Sequence, residues 1–92
     1  MPKLSINIKI QNKHGIHARP SAAFVKLAIK YQSNITVEKD DREVSGKNIM
    51  DLLTLEAHYE DIIKIIADGK DAQEAINALQ NLIENKFFVE DY

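Results

Sequence analysis

The 92-residue chain has no cysteine and no tryptophan, two prolines, three glycines and an aromatic content of only 7%. Without thiols it has neither disulfides nor thiolate metal sites, so core packing alone must hold the fold, as expected of an intracellular domain. Neither sign of charge dominates: 12 Lys and Arg against 14 Asp and Glu leave a net charge of −2. That balance speaks against a general nucleic-acid binder, which carries clustered basic residues. The apolar stretches lack the interleaved aromatic and basic residues that would stack and hold RNA bases. No apolar run approaches the ~18 residues of a membrane span, and Met1-Pro2-Lys3 leads straight into alternating residues instead of a signal-peptide core, so a cytoplasmic location is expected.

What is present describes one domain over residues 1–92, with 45% hydrophobic and 28% charged residues and no linker, repeat or low-complexity segment. A domain this small buries only about two-thirds of the surface of its unfolded chain. Little interior is left for a cleft of ~300–1,000 Å³, so any chemistry belongs on a surface.

Leu4, Ile6, Ile8 and Ile10 alternate with polar residues, the period of a strand with one wet face. After a polar turn over Gln11 to Gly15, an apolar-rich helix is expected over residues 18–30, with Pro20 in its first turn where a missing N–H does no harm. Ile35 and Val37, then Val44, flank a charged stretch over residues 38–42 and read as a hairpin. Asn48 caps a short helix over residues 49–55, with Asp51 three residues on as in a capping box. Residues 62–67 are β-branched enough for a fourth strand, and residues 71–85 show the i, i+3, i+4, i+7 spacing of an amphipathic helix. The order βαββαβα predicts an α+β open-faced sandwich, a four-stranded, mainly antiparallel sheet covered on one face by three helices. A ferredoxin-like domain with an extra helix has a compatible order.

Of the three histidines, His14 and His58 lack partners at metal-ligand spacing and read as surface side chains. No metal or cofactor is expected. His17 stands where a turn enters a helix, so the unclaimed N–H groups of the first turn and the positive end of the helix dipole converge near its ring. Gly15 lets the chain turn tightly there. Arg19 brings a permanent charge and a fork of donors, and Ala18 and Arg19 bring backbone N–H groups. Such a cluster can bind phosphate or carry a phosphoryl group on the imidazole.

Asn12-Lys13-His14-Gly15-Ile16-His17-Ala18-Arg19-Pro20 resembles the active-site signature of the HPr family, the histidine phosphocarriers of the bacterial phosphoenolpyruvate-dependent phosphotransferase system. Lys47-Asn48-Ile49-Met50 followed by Leu52-Leu53-Thr54-Leu55 resembles that family's second signature, and the element order fits from end to end. The resemblance implies that His17 accepts a phosphoryl group at Nδ1 from phosphorylated enzyme I and passes it to a histidine of an enzyme IIA domain in sugar uptake. It further implies a monomeric carrier, not an enzyme in its own right, with Arg19 stabilising the transferring oxygens and Pro20 fixing the turn. The five large apolar residues among 49–55 spread wider than one core face needs. By resemblance, Ile49, Met50 and Leu53 form an exposed docking patch for the partner proteins.

Two features depart from the family. Asn48 stands where many Gram-positive relatives carry a regulatory serine, so the cap is kept and the phosphorylation input lost. Residues 56–61, Glu-Ala-His-Tyr-Glu-Asp, replace small residues and are expected to form a solvated loop. Phe87, Phe88 and Tyr92 should cover a core edge or belong to a frayed tail. The alternative function is a nitrogen-related or other regulatory HPr-like protein whose phosphorylation state controls targets instead of transport. The paired acids Asp40-Asp41 and Glu60-Asp61 lie in loops with no matching base or glycine-rich phosphate cradle, which argues against a self-contained hydrolase or kinase.

Overall fold

The computed structural model describes residues 2–88. The elements run β1 (Lys3–Lys9), α1 (Ala18–Ala28), β2 (Asn34–Lys39), β3 (Arg42–Ser45), α2 (Ile49–Thr54), β4 (Ile62–Asp68) and α3 (Ala72–Glu84), followed by a single 3₁₀ turn at Lys86–Phe88. The strands form one sheet in the order β1-β4-β2-β3, and every neighbouring pair is antiparallel. The strands joined through α1, β1 and β2, run parallel with β4 between them, and those joined through α2, β3 and β4, run parallel with β2 between them; this order, with β1 at one edge and β3 at the other, is the predicted sandwich.

Alternation decides which face is covered. Ile8 lies opposite Ile63, Ile65 opposite both Ile6 and Val37, and Ala67 opposite both Leu4 and Ile35, and this inward set is buried or half-buried. The other face carries Lys3, Ser5, Asn7, Thr36, Glu38, Glu43, Ser45 and Lys64, which water can solvate. α3 supplies Ala72, Ala75, Ile76, Leu79, Leu82 and Ile83 to the core, all buried and all on one helical stripe. α1 adds Phe24 and Ala28, and α2 adds Leu52 with Leu55 just beyond it.

α1 ends two residues short of the expected residue 30, because Ile29, which apolar periodicity counts into the helix, is 59% exposed and lies at its C-cap. At Ile29 the backbone tightens, with the Lys30 N–H donating to the Leu27 carbonyl at 3.1 Å and the Tyr31 N–H to the Ala28 carbonyl at 3.2 Å. Asp71, just before α3, leaves its own helix start uncapped. Its carboxylate instead accepts from the Gln32 and Ser33 N–H groups at 2.8 and 2.9 Å and from the Ser33 hydroxyl, tying the chain after α1 to the start of α3. The Ser33 hydroxyl and then the Gln32 amide hold the Asp71 carboxyl below the usual carboxylate value.

The two phenylalanines after α3 part company: Phe87 is 1% exposed and packs into the core, whereas Phe88 is 68% exposed. Tyr92 lies outside the described residues. Residues 56–61 form the expected loop, with Glu56, His58, Tyr59 and Glu60 exposed, but it is braced at both ends: Ala57 is buried, the Ile10 N–H donates to the Asp61 carbonyl at 2.9 Å, and the Glu60 N–H donates to the Ile10 carbonyl at 2.8 Å. Left-handed backbone at Glu56 and Glu60, with φ of 51° and 72°, folds the segment back against the chain leaving β1. The Asp61 carboxylate accepts the His58 N–H at 2.8 Å and faces Lys39 Nζ at 3.5 Å. The His58 amide foremost, and Lys39 after it, lower its pKa from the usual carboxylate value.

Candidate functional site

The chain leaving β1 closes a turn in which the Gly15 N–H donates to the Asn12 carbonyl at 3.0 Å. The buried Asn12 side-chain amide in turn donates to the Gly15 carbonyl. Gly15 has φ +68°, and a Cβ there would stand 2.4 Å from the Ala57 carbonyl oxygen and 2.8 Å from the His58 Cα. Both the backbone angle and the space therefore require glycine. The Ile16 N–H donates to the Ala57 carbonyl at 2.8 Å, and the buried Ile16 side chain anchors the residue before His17.

His17 is the N-cap residue of α1, in extended conformation at φ −108° and ψ −165°, and its side chain makes no capping bond. The first helical bond runs from the Ser21 N–H to the His17 carbonyl at 3.0 Å. The N–H groups of Ala18 and Arg19 thus have no carbonyl one turn back within the helix, and Pro20 has no N–H to leave unsatisfied. Pro20, the third helical residue, is buried, while Ala18 and Arg19 are exposed and His17 is half-buried. The first turn carries no acidic side chain of its own to compete with an incoming anion. Arg19 forms no ion pair with a carboxylate among the described residues.

The sequence-predicted cluster of Gly15, His17, Ala18, Arg19 and Pro20 is therefore brought together at one helix start. Two contributions were not legible. The ring of His14 lies edge-on to that of His17, with centroids 6.1 Å apart and planes at 78°; the only signal in the sequence is a spacing of three residues across a glycine. The bracing of Gly15 and Ile16 by residues 57–58 is a long-range contact that no local pattern announces. Two buried polar atoms near the turn and helix start, Asn12 Oδ1 and Ser21 Oγ, have no hydrogen-bond partner among the described residues.

α2 packs against α1 and starts in a different way. The Asn48 side chain accepts the Asp51 N–H at 3.1 Å, the predicted cap. Ile49 is 38% and Met50 69% exposed, whereas Leu53 is half-buried, a less open position than the docking reading gives it. The far end of α2 is held by the hairpin: Arg42 donates to the Thr54 carbonyl, and Lys39 Nζ donates to those of Leu55 and Glu56 at 3.4 and 3.2 Å. These two cations satisfy carbonyls that a helix end leaves open. Among the described residues no group of three or more His, Cys, Asp or Glu could hold a metal ion, and no helix is long and apolar enough to cross a membrane.

Fold and site together define a small open-faced sandwich that presents a histidine, an arginine and two open amides at a helix start. The family model for the PTS HPr component phosphorylation site matches residues 4–85. The phosphocarrier protein HPr of Xylella fastidiosa strain Temecula1 is 39% identical over 84 residues, which is 91% of this chain and 94% of the relative. The HPr-like protein Crh of Halalkalibacterium halodurans is 39% identical over 79 residues, covering 86% and 94%. The crystal structure of an HPr from Thermoanaerobacter tengcongensis superposes with a TM-score of 0.90 at 46% identity, over 95% of this chain and 98% of that one. The chain belongs to the HPr family.

Proposed function

We propose that this protein is a cytoplasmic, monomeric phosphocarrier that accepts a phosphoryl group on His17 Nδ1 from phosphorylated enzyme I and passes it to a histidine of an enzyme IIA domain in sugar uptake. The observation that carries this reading is the N-cap position of His17 without a side-chain cap: its ring is not spent on the helix, and the amides beside it stay available. A phosphoryl group on the imidazole brings negative oxygens to the end of α1. The Ala18 and Arg19 N–H groups, the helix dipole and the Arg19 guanidinium all favour that charge. Phosphoryl transfer depends chiefly on positioning and electrostatics, so a carrier needs little more than an aligned nucleophile and these donors. The openness of the site suits an acceptor and donor that two partners must reach in turn.

Ile49 and Met50 supply the exposed apolar part of the docking face, with Leu53 at its half-buried margin. Asn48 caps α2 without a hydroxyl, so serine-directed regulation has no acceptor at that position.

Incubation with phosphoenolpyruvate and a general enzyme I, followed by intact-mass analysis, tests the reading directly. The expected result is one acid-labile phosphoryl group per chain, absent from His17→Ala. Acid-labile labelling of His17→Ala would exclude His17 as the acceptor. In the same assay Ile49→Asp should lower affinity for the partners with the fold intact; unchanged affinities would remove the docking face from the proposal. Retention of target proteins by only one phosphorylation state, with no transfer to an enzyme IIA, would instead favour the regulatory alternative.

A further inference from the structure

The segment between β1 and α1 buries one polar side chain to which the phosphocarrier scheme gives no part, that of Asn12, which is 1% exposed. Its Nδ2 donates to the Gly15 carbonyl, while the Gly15 N–H donates back to the Asn12 carbonyl at 3.0 Å. The peptide unit joining Gly15 to Ile16 is thus held on both of its polar groups. Asn12 holds its C=O, and the Ala57 carbonyl holds its N–H at 2.8 Å. A peptide unit is planar, so bonds on its two opposite edges fix its rotation about the chain. This unit needs such a hold, because glycine accepts either sign of φ and Gly15 stands at +68°. A rotation of the unit would carry the start of Ile16 with it, and His17 follows directly.

The other half of the amide makes the point from the opposite side. Asn12 Oδ1 is buried without a hydrogen-bond partner among the described residues. An acceptor left so costs about 1–3 kcal/mol. An apolar side chain would fill the space without that cost, so packing alone does not account for an amide at this position. The donated bond to Gly15 does.

We propose that Asn12 is a positioning residue for phosphoryl transfer: its side-chain amide keeps the Gly15–Ile16 peptide in one orientation and so holds His17 in line with the incoming phosphoryl group. The inference rests on the phosphocarrier reading. Asn12 touches no reacting atom and acts only through the backbone. Its loss should therefore fall on the transfer step, where alignment counts, and not on the encounter with the partner.

The test measures initial rates of phosphoryl acceptance from enzyme I and phosphoenolpyruvate over a range of carrier concentrations, for the full chain, Asn12→Ala and Asn12→Leu, with the folded fraction of each read by urea unfolding. Per folded molecule, kcat should fall about tenfold in both variants while KM stays within about twofold. Asn12→Leu removes the donor and the unpartnered acceptor together, so its stability should fall less than that of Asn12→Ala while its kcat falls as far. In the unmodified protein the Asn12 side-chain amide protons should exchange slowly with solvent by NMR. Unchanged kcat in the folded variants would overturn the proposal, and so would a loss confined to KM. Solvent-fast exchange of the Asn12 amide protons would overturn it even if neither variant folds. Absence of any label on His17 of the unmodified protein would instead overturn the phosphocarrier reading, so the two failures are distinct.

Discussion

α1 and α2 pack against each other, and at their starts they solve the same problem in opposite ways. Each helix start leaves amides with no intrahelical partner and a partial positive charge. At α2 the chain answers this itself, with the Asn48 side chain on the Asp51 amide and the Asp51 carboxylate in the first turn. At α1 the cap residue withholds its side chain, no acid follows, and Arg19 adds positive charge. One helix start is finished at folding; the other is left open. The difference teaches that the proposed anion site consists largely of something omitted, and that a loop must then hold the open end in shape.

Three substitutions test the contrast. The largest effect should come from Gly15→Ala, which forces a side chain into left-handed backbone and against the Ala57 carbonyl. A loss of about 3 kcal/mol in urea unfolding is expected, together with slower phosphoryl acceptance. A variant as stable and active as the parent would show that residues 57–58 do not brace the open end. Next, Arg19→Ala should still accept a phosphoryl group but transfer it about tenfold more slowly, measured by quenched-flow labelling. Equal transfer rates would mean that the open amides suffice without a side-chain cation. The smallest effect should follow Asn48→Ala, which uncaps the closed end: about 1 kcal/mol of stability by thermal unfolding, with phosphoryl acceptance unchanged. Should Asn48→Ala slow acceptance as much as Arg19→Ala does, the two helix starts would not be separate devices.

Much of this was legible before the structure, for reasons that can be named. The alternation in β1 and the stripe of α3 depend on residues near one another in sequence, and both survive folding unchanged. The α1 site was legible because its parts are contiguous, from Gly15 to Pro20. What stayed hidden depends on distance in the chain or on backbone angles. Glu56 and Glu60 give no hint that they will adopt positive φ, and the pairing of Ile16 with Ala57 spans 41 residues. Leu53 enters the exposed set only by resemblance, since helical spread says that some apolar residues must be outside but not which ones, and it is half-buried. Phe87 and Phe88, identical and adjacent, take opposite fates through backbone torsions that no composition rule foresees.

The single hydrogen bond from Ile16 to the Ala57 carbonyl has a mechanical meaning as well. It links the residue before His17 to the segment leaving α2, the helix whose Ile49 and Met50 face outward. On the proposed docking reading, a partner landing on α2 would meet a ruler already cut to length: the offset from landing point to the His17 ring is fixed by the protein's own backbone before any encounter. The search for alignment then becomes a property of the folded carrier, and successive partners can share one geometry without sharing a sequence.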